Sequence, residues 1–213
     1  MDKLFLQANP AHVAVWRIKD HVLIAGEMYS RNELQAMRQR GLLSVCLGDY
    51  YLPASCGDSP AVRARLASFA LGPHLQVGEA LYRHSAAWIH GLADNLDTLH
   101  LAVPHYRRPL ELEHQLSVEF LTLDIPVDQL ARIGSLTVST AVHSVCQSAL
   151  YDDQDLALRI IARAIATGEP QLSYQGLKHV LRQYPASPLM ARAARLLENF
   201  NPSRTRGTMQ RSA

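Results

Sequence analysis

The chain has few of the residues that indicate a secreted or membrane-bound protein. Its 213 residues include three cysteines (Cys46, Cys56 and Cys146) and no CxxC pair, so neither a disulfide framework nor a cysteine-based metal site is expected. No run approaches the roughly 18 consecutive apolar residues that span a bilayer. The first ten residues carry too few apolar side chains for a secretory signal. We therefore expect a cytoplasmic protein that does not enter a membrane.

Common catalytic motifs are also lacking. The sequence has no GxSxG elbow, no Walker A loop, no GxGxxG and no HExxH. Its histidines do not have the spacing that places two imidazoles on one helix face. The acidic run DDQD at 152–155 precedes a predicted helix, where negative charge is favoured, so we interpret it as an N-cap cluster and not as a two-metal or nucleotidyl-transfer site. We expect no metal, no cofactor and no enzymatic activity.

The composition is that of a globular chain with an uneven charge distribution. Hydrophobic residues make up 48% and charged residues 19%, which argues against disorder. Residues 56–155 hold six Lys or Arg against twelve Asp or Glu, whereas residues 156–213 hold nine against two. An acidic middle and a basic end indicate that the C-terminal part meets a polyanion or an acidic partner, or that its arginine-rich helices are simply well solvated.

Residues 30–52 give the most specific local pattern, a short helix followed by a hairpin. Ser30 and Glu33 have capping-box spacing, and Gly41 stands where a helix usually stops. An apolar run at 42–47, a Gly-Asp turn and the segment 50–52 then predict two strands. This order is typical of a winged helix-turn-helix. Two helices are expected before it, at Ala11–Lys19 and at His21–Met28.

A helical wheel of residues 30–40 predicts the surface that meets DNA. With Leu34 and Met37 facing the core, the residues that point most directly away are Asn32, Gln35 and Gln39. Amide side chains can bond adenine edges and guanidinium groups suit phosphates. The alternative is an ordinary solvated helix face. The predicted DNA-binding residues are therefore Lys19, Arg31, Asn32, Gln35, Arg38, Gln39 and Arg40.

The rest of the chain predicts a larger domain of mixed α and β structure with a helical end. A linker-like stretch at 53–58 marks the expected boundary between a domain at 1–55 and one at 58–200, and residues 201–213 read as a disordered basic tail. The fold class is thus α+β and mostly helical. Predicted strands lie at 78–82, 98–103, 116–121 and 136–138, and predicted helices at 60–71, 85–92, 141–150, 156–165, 173–184 and 188–197.

Three passages resemble the AbiEi-type antitoxins of bacterial type IV toxin–antitoxin operons. Gly48, Tyr50 and Leu52 are similar to a G-x-Y-x-L strand that follows the recognition helix of that family, and residues 83–92 are similar to its SH-x-SAA-x-x-HGL segment. Residues 139–142 match its strand-to-helix junction more weakly. The chain differs from the family in the wing, where residues 45–47 and Asp49 replace basic residues.

The resemblance implies an autorepressor that binds inverted repeats in its own promoter and counteracts a nucleotidyltransferase-type toxin. It also implies that the C-terminal domain carries the antitoxin activity. A ligand-responsive winged-helix regulator unrelated to a toxin remains the alternative. The residues expected to form a basic antitoxin face are Arg159, Arg163, Lys178, Arg182, Arg192 and Arg195.

Overall fold

The N-terminal part builds a small sheet around one helix. The computed structural model describes residues 18–202, so the tail beyond 202 and the predicted helix up to residue 17 lie outside it. A 3-10 turn at Ile18–Asp20 is followed by β1 (Leu23–Ile24), α1 (Arg31–Gln39), β2 (Leu43–Leu47) and β3 (Tyr50–Pro53). The three strands are antiparallel in the order β1-β3-β2. The predicted helix and hairpin of residues 30–52 are confirmed.

The helix predicted at His21–Met28 is wrong. Leu23 and Ile24 instead pair with β3, opposite Tyr51 and Tyr50. Gly26 then turns the chain with a φ of 93°, a conformation that glycine adopts without strain. The segment therefore forms an edge strand and a turn where a second helix of a helix-turn-helix was expected.

The remainder forms one mixed sheet with helices. After a 3-10 turn at Ala54–Cys56, the elements are α2 (Pro60–Leu71), β4 (Ala80–Leu81), α3 (Arg83–Ile89), β5 (Thr98–Val103), β6 (Leu110–Leu112), β7 (Leu116–Thr122), β8 (Leu130–Ile133), β9 (Leu136–Ser139), α4 (Ala141–Tyr151), α5 (Gln154–Ala166), α6 (Tyr174–Leu181) and α7 (Pro188–Glu198). The six strands from β4 to β9 assemble in the order β6-β7-β5-β4-β9-β8. The pairs β4–β9 and β5–β7 are parallel, and the other three are antiparallel.

The fold class is α+β, with seven α-helices in the described residues. Helices account for 47% of the structure and strands for about 21%, so the expectation of a mostly helical chain was too high. The two edge strands β6 and β8 were not predicted, because they are short and carry no clear alternation. Within residues 18–202, every helix is too short or too polar to span a lipid bilayer.

The small sheet shares its core with the rest of the chain. One face of the hairpin, through Val45, Leu47, Tyr50 and Leu52, belongs to the main hydrophobic core that also holds the helices from α2 to α7. The ring of Tyr50 contacts Phe69 of α2 edge to face, with centroids 6.0 Å apart. The predicted boundary at 53–58 is therefore a turn between two parts that are packed together.

Candidate nucleic-acid interface and buried polar cluster

The first turn of α1 is fixed by a reciprocal pair of bonds. The backbone N–H of Glu33 donates to the Ser30 hydroxyl at 3.3 Å, and the Glu33 carboxylate accepts the Ser30 N–H at 2.8 Å. The predicted capping box is confirmed. The bonds from Ser30 hold the pKa of Glu33 below its ordinary value. Gly41 ends this helix with a φ of 74°, as expected of a helix stop.

The inner face of α1 is apolar and packs on the small sheet. Leu34 is fully buried and Met37 partly buried, against a cluster formed by Leu43, Cys46 and Tyr51. Full burial of a side chain such as Leu34 contributes roughly 1.5–3 kcal/mol, and the partly buried Met37 contributes less. This packing fixes which side of α1 faces outward.

Two of the predicted DNA-binding residues bind the hairpin. The Arg31 guanidinium donates two hydrogen bonds to the Asp49 carboxylate, with Nε 2.8 Å from Oδ1. The Gln35 amide donates from Nε2 to the Tyr51 hydroxyl at 2.9 Å. The wheel placed Gln35 directly opposite the core, and this orientation is wrong because its amide turns towards β3.

The other predicted DNA-binding residues of α1 keep their side chains free of polar contacts within the described structure. Asn32, Gln39 and Arg40 are exposed and Arg38 is half-buried. None of the four has a side-chain hydrogen bond or ion pair with another of residues 18–202. We call these four residues the outer face of α1. Lys19 is also exposed, in the 3-10 turn that packs on α2.

The tip of the hairpin is bound to the C-terminal sheet. The Gly48 N–H donates to the Leu96 carbonyl at 2.6 Å, and the Asp49 N–H donates to the His114 carbonyl at 2.9 Å. Both tip residues are buried. A wing that enters a DNA groove needs a free tip, so this hairpin positions α1 and does not itself reach DNA.

The basic residues of the C-terminal helices do not form one free cationic face. Arg163 binds both carboxylate oxygens of Asp94, at 2.7 and 2.8 Å. Lys178 Nζ lies 2.9 Å from Glu198 Oε1, and this bond is the main cause that lowers the pKa of Glu198 to about 2. Of the six predicted residues, Arg163 and Lys178 are thus paired internally, and Arg192 is used as a helix cap.

Arg192 caps the end of α4. Its guanidinium donates to the carbonyl oxygens of Ala149 and Leu150, both at 3.1 Å, and to that of Asp152. These are carbonyls that the helix itself leaves unpaired. Among the described residues, the exposed arginines of this set without a side-chain partner are Arg159, Arg182 and Arg195.

The segment 83–92 begins with a buried polar cluster around Asp152. Arg83 Nε donates to Asp152 Oδ1 at 2.8 Å, and His84 Nδ1 lies 2.8 Å from the same oxygen. The Ser148 hydroxyl donates to Oδ2 at 2.6 Å. Arg83 has a φ of 56°, which costs a non-glycine residue of order 1 kcal/mol, and its N–H donates to the Gln147 side chain at 3.0 Å.

The interpretation of the acidic run at 152–155 as a single N-cap cluster is therefore wrong for Asp152. Burial alone would raise the pKa of Asp152, but the bonds from His84 and Ser148 and the charge of Arg83 outweigh it and lower the pKa. Only Asp153 caps α5, by accepting the Leu156 N–H at 2.9 Å. The two adjacent aspartates have different roles.

A second histidine lies against this cluster. The rings of His84 and His100 meet edge to face with centroids 4.4 Å apart. His100 Nε2 lies 3.0 Å from a carboxylate oxygen of Glu119, and the backbone N–H of His100 donates to the Ser85 hydroxyl at 2.8 Å. Burial, followed by the nearby His84, lowers the pKa of His100 to about 3, so this ring is neutral at physiological pH.

The remainder of the segment is a packing element. Ala86 and Ala87 are fully buried and Trp88 is 1% exposed, as the small residues predict. His90 Nε2 donates to the Ser139 carbonyl at 2.8 Å. Gly91 ends the helix with a φ of 79°. These contacts join α3 to α4 and β9, so the segment acts mainly by holding the fold.

The arrangement offers no metal centre among residues 18–202, where no group of three or more His, Cys, Asp or Glu side chains is placed to hold an ion.

The contact between Arg83 and Asp152 was not predicted from the sequence. The spacing of four between Ser148, in the last turn of α4, and its C-cap Asp152 indicates a local polar contact, but nothing in the sequence indicates that Arg83 joins it.

Comparison with known proteins identifies no relative of this chain. The chain matches no protein-family model, and no curated protein or solved structure is significantly similar to it.

Proposed function

We propose that this chain is a DNA-binding regulator that reads duplex DNA with the outer face of α1, and that it serves as the antitoxin of a type IV-like toxin–antitoxin system. Its own promoter, with inverted repeats, is the proposed target. A nucleotidyltransferase-type toxin is the proposed functional partner. The antitoxin assignment is supported by the sequence resemblance of residues 48–52 and 83–92 alone.

One observation carries the DNA-binding proposal. The outer face of α1 combines exposed amides, Asn32 and Gln39, with Arg38 and Arg40, and none of these side chains is used inside the described structure. Amides suit base edges and guanidinium groups suit phosphates. The helix is also held rigidly from its other side by Arg31 and its neighbours, so little ordering is needed on binding.

The winged helix-turn-helix is part of this proposal in a restricted form. The order helix, strand, strand supports it. The hairpin tip is buried, so phosphate contacts must come from α1 and from flanking residues such as Lys19. Two copies on an inverted repeat would each insert one α1 into the major groove.

The proposal is tested by gel-shift titration of the full chain against the duplex upstream of its own gene and against a shuffled duplex of equal composition. We expect at least a tenfold preference for the upstream duplex, and growth rescue when the chain is expressed with the toxin encoded beside it. Equal affinity for both duplexes would contradict sequence-specific regulation. Failure of rescue alone would remove the antitoxin role and leave DNA binding in place.

A ligand-responsive regulator is the second candidate, because a polar cavity adjoins α1. It measures about 170 Å³ and lies between α1, the hairpin tip and the C-terminal sheet. Arg31 and Gln35 line it from α1, and Asn95, Asp97 and Gln115 line it from the C-terminal part. A small polar molecule bound there would act on the contacts that hold α1. Dependence of duplex affinity on an added metabolite would favour this candidate.

A further inference from the structure

The arginines of the acidic middle segment point to a second surface, remote from α1. Residues 56–155 contain six arginines, and four of them interact within the fold. Arg63 binds Asp58, Arg83 binds Asp152, Arg107 binds Glu79, and Arg65 also has a partner. The two without a hydrogen bond or ion pair to any of residues 18–202 are Arg108 and Arg132, both exposed.

Arg108 belongs to a loop that is joined to its neighbour by a buried ion pair. Glu79 is 4% exposed and pairs with Arg107, and it also accepts the Gln76 N–H at 2.9 Å. The Arg107 guanidinium donates to the His74 carbonyl at 3.0 Å and lies 4.2 Å from the centre of the Phe120 ring. These contacts fix loop 74–79 against loop 104–109.

Each of these loops presents a large side chain to solvent. Val77 is fully exposed, at 102%, and Tyr106 is 76% exposed. Val77 lies two residues from Glu79 in the chain, and Tyr106 directly precedes Arg107, so the ion pair anchors the backbone that carries both side chains. A tyrosine held outward on an ordered loop is a stacking platform that requires little ordering on binding.

A groove of donor groups adjoins these loops. It measures about 190 Å³ and lies between loop 75–79 and the strands β8 and β9. Arg132 and Thr137 stand directly opposite each other across these strands, and together with Gln76 they supply guanidinium, hydroxyl and amide donors. Glu79 also lines the groove, but its charge is compensated by Arg107. Such donors are those that proteins use on phosphate oxygens.

We propose that this surface, formed by Gln76, Val77, Tyr106, Arg108, Arg132 and Thr137, binds single-stranded nucleic acid. Arg132 and Thr137 hold a phosphate in the groove, Tyr106 stacks on a base, and Arg108 contacts a neighbouring phosphate. Aromatic stacking combined with cationic backbone contacts is the usual basis of single-strand binding. The groove has room for one phosphate and part of its sugar, and stacking on Tyr106 requires an unpaired base, which a single strand offers. This binding is separate from the proposed reading of duplex DNA by α1.

The test is fluorescence anisotropy of the full chain with a labelled ten-nucleotide single-stranded RNA, the matching single-stranded DNA and a ten-residue polyglutamate peptide. We expect both single strands to bind. Changing Arg132 to Ala or Tyr106 to Ala should weaken binding about tenfold each, and Arg132→Ala should lower the salt dependence by about one unit of slope. Tyr106→Phe keeps the ring and should retain wild-type affinity.

Two controls separate this surface from other charges on the molecule. Arg195→Ala removes an exposed, unpaired arginine on α7 and should leave single-strand binding unchanged. Arg40→Ala on α1 should also leave it unchanged while it weakens duplex binding. Arg132→Ala should weaken single-strand binding and leave duplex binding unchanged. A missing single-strand activity can therefore be told apart from a missing duplex activity.

Three outcomes would overturn the proposal. They are absence of single-strand binding, equal effects of Arg195→Ala and Arg132→Ala, and polyglutamate binding as tight as RNA with no effect of Tyr106→Ala. The last result would assign the surface to an acidic protein. Because the altered side chains are exposed, a melting temperature equal to wild type is expected for each variant, and Arg132→Lys, which keeps the charge, should recover part of the affinity.

Discussion

Arg31 and Asp49 join the first turn of α1 to the tip of the hairpin through two parallel hydrogen bonds. Asp49 is in turn bound through its N–H to the His114 carbonyl. One residue therefore links α1 to the C-terminal sheet. The orientation of the outer face of α1 is therefore fixed by contacts with the C-terminal sheet as well as by the hairpin.

Changing Asp49 to Asn removes one charge of this link. We expect a lower melting temperature, because the guanidinium loses its bidentate partner. We also expect a two- to fivefold loss of duplex affinity, because α1 is then held less rigidly and must be ordered on binding. Thermal unfolding and gel-shift titration measure the two effects. Asp97→Asn, in the same cavity but without a contact to Arg31, is the control, and equal behaviour of both variants would refute the link.

Changing Gly48 to Ala should destabilise the docked hairpin. A Cβ atom at this position would lie 2.9 Å from the His114 carbonyl oxygen and 3.0 Å from that of Gln115. We expect a loss of about 2–4 kcal/mol in the free energy of unfolding by urea, from overpacking and backbone strain. Gly134→Ala has a similar φ and nothing within 4 Å, so it should lose only about 1 kcal/mol. Similar losses in both would mean that the tip is not docked.

The adjacent aspartates at 152 and 153 should respond differently to the same change. Asp152→Asn leaves the Arg83 guanidinium without its buried counter-charge and weakens the hydrogen bond to His84, and we expect a loss of about 3 kcal/mol or more. Asp153→Asn keeps a good N-cap side chain and should change the free energy of unfolding by less than about 0.5 kcal/mol. Urea denaturation decides between this assignment and a cap role for both residues, which would give two small effects.

His100 should make the chain sensitive to acid. Its pKa is about 3 in the folded state against 6.5 ordinarily, so the unfolded chain takes up a proton that the folded chain resists. The stabilising contribution is complete above about pH 6.5 and is lost as the pH falls towards 3. Between pH 7 and pH 4, the unfolding free energy of wild type should fall by roughly 2–4 kcal/mol more than that of His100→Gln. The exposed His179→Gln is the control, and an unchanged slope in His100→Gln would contradict the assignment.

Local patterns in the sequence predicted what depends on local physics. The cap at Ser30, the stop at Gly41 and the apolar pair Leu34 and Met37 depend on helix geometry, and all four were found as expected. Most of the later helices and the longer strands followed from hydrophobic periodicity in the same way.

Features that depend on tertiary contacts could not be read from the sequence. Gln35 lies at the margin between the outer face and the hairpin, and only the position of Tyr51 decides where its amide points. Asp152 and Asp153 look alike in sequence, but one meets Arg83, which is 69 residues away. The docking of the hairpin tip depends on a turn in which His114 and Gln115 both have positive φ, and neither residue type indicates that conformation.

Salt-dependent titration of α1 variants decides whether the outer face of α1 reads duplex DNA. The affinity of the full chain for its upstream duplex is measured at two salt concentrations for wild type, Arg40→Ala, Asn32→Ala and the control Arg195→Ala. We predict that Arg40→Ala weakens all duplexes alike and lowers the salt slope by about one, while Asn32→Ala loses about 1–3 kcal/mol only on the specific site. Affinities that are unchanged in both α1 variants, or changed equally by Arg195→Ala, would mean that this face of α1 does not read duplex DNA.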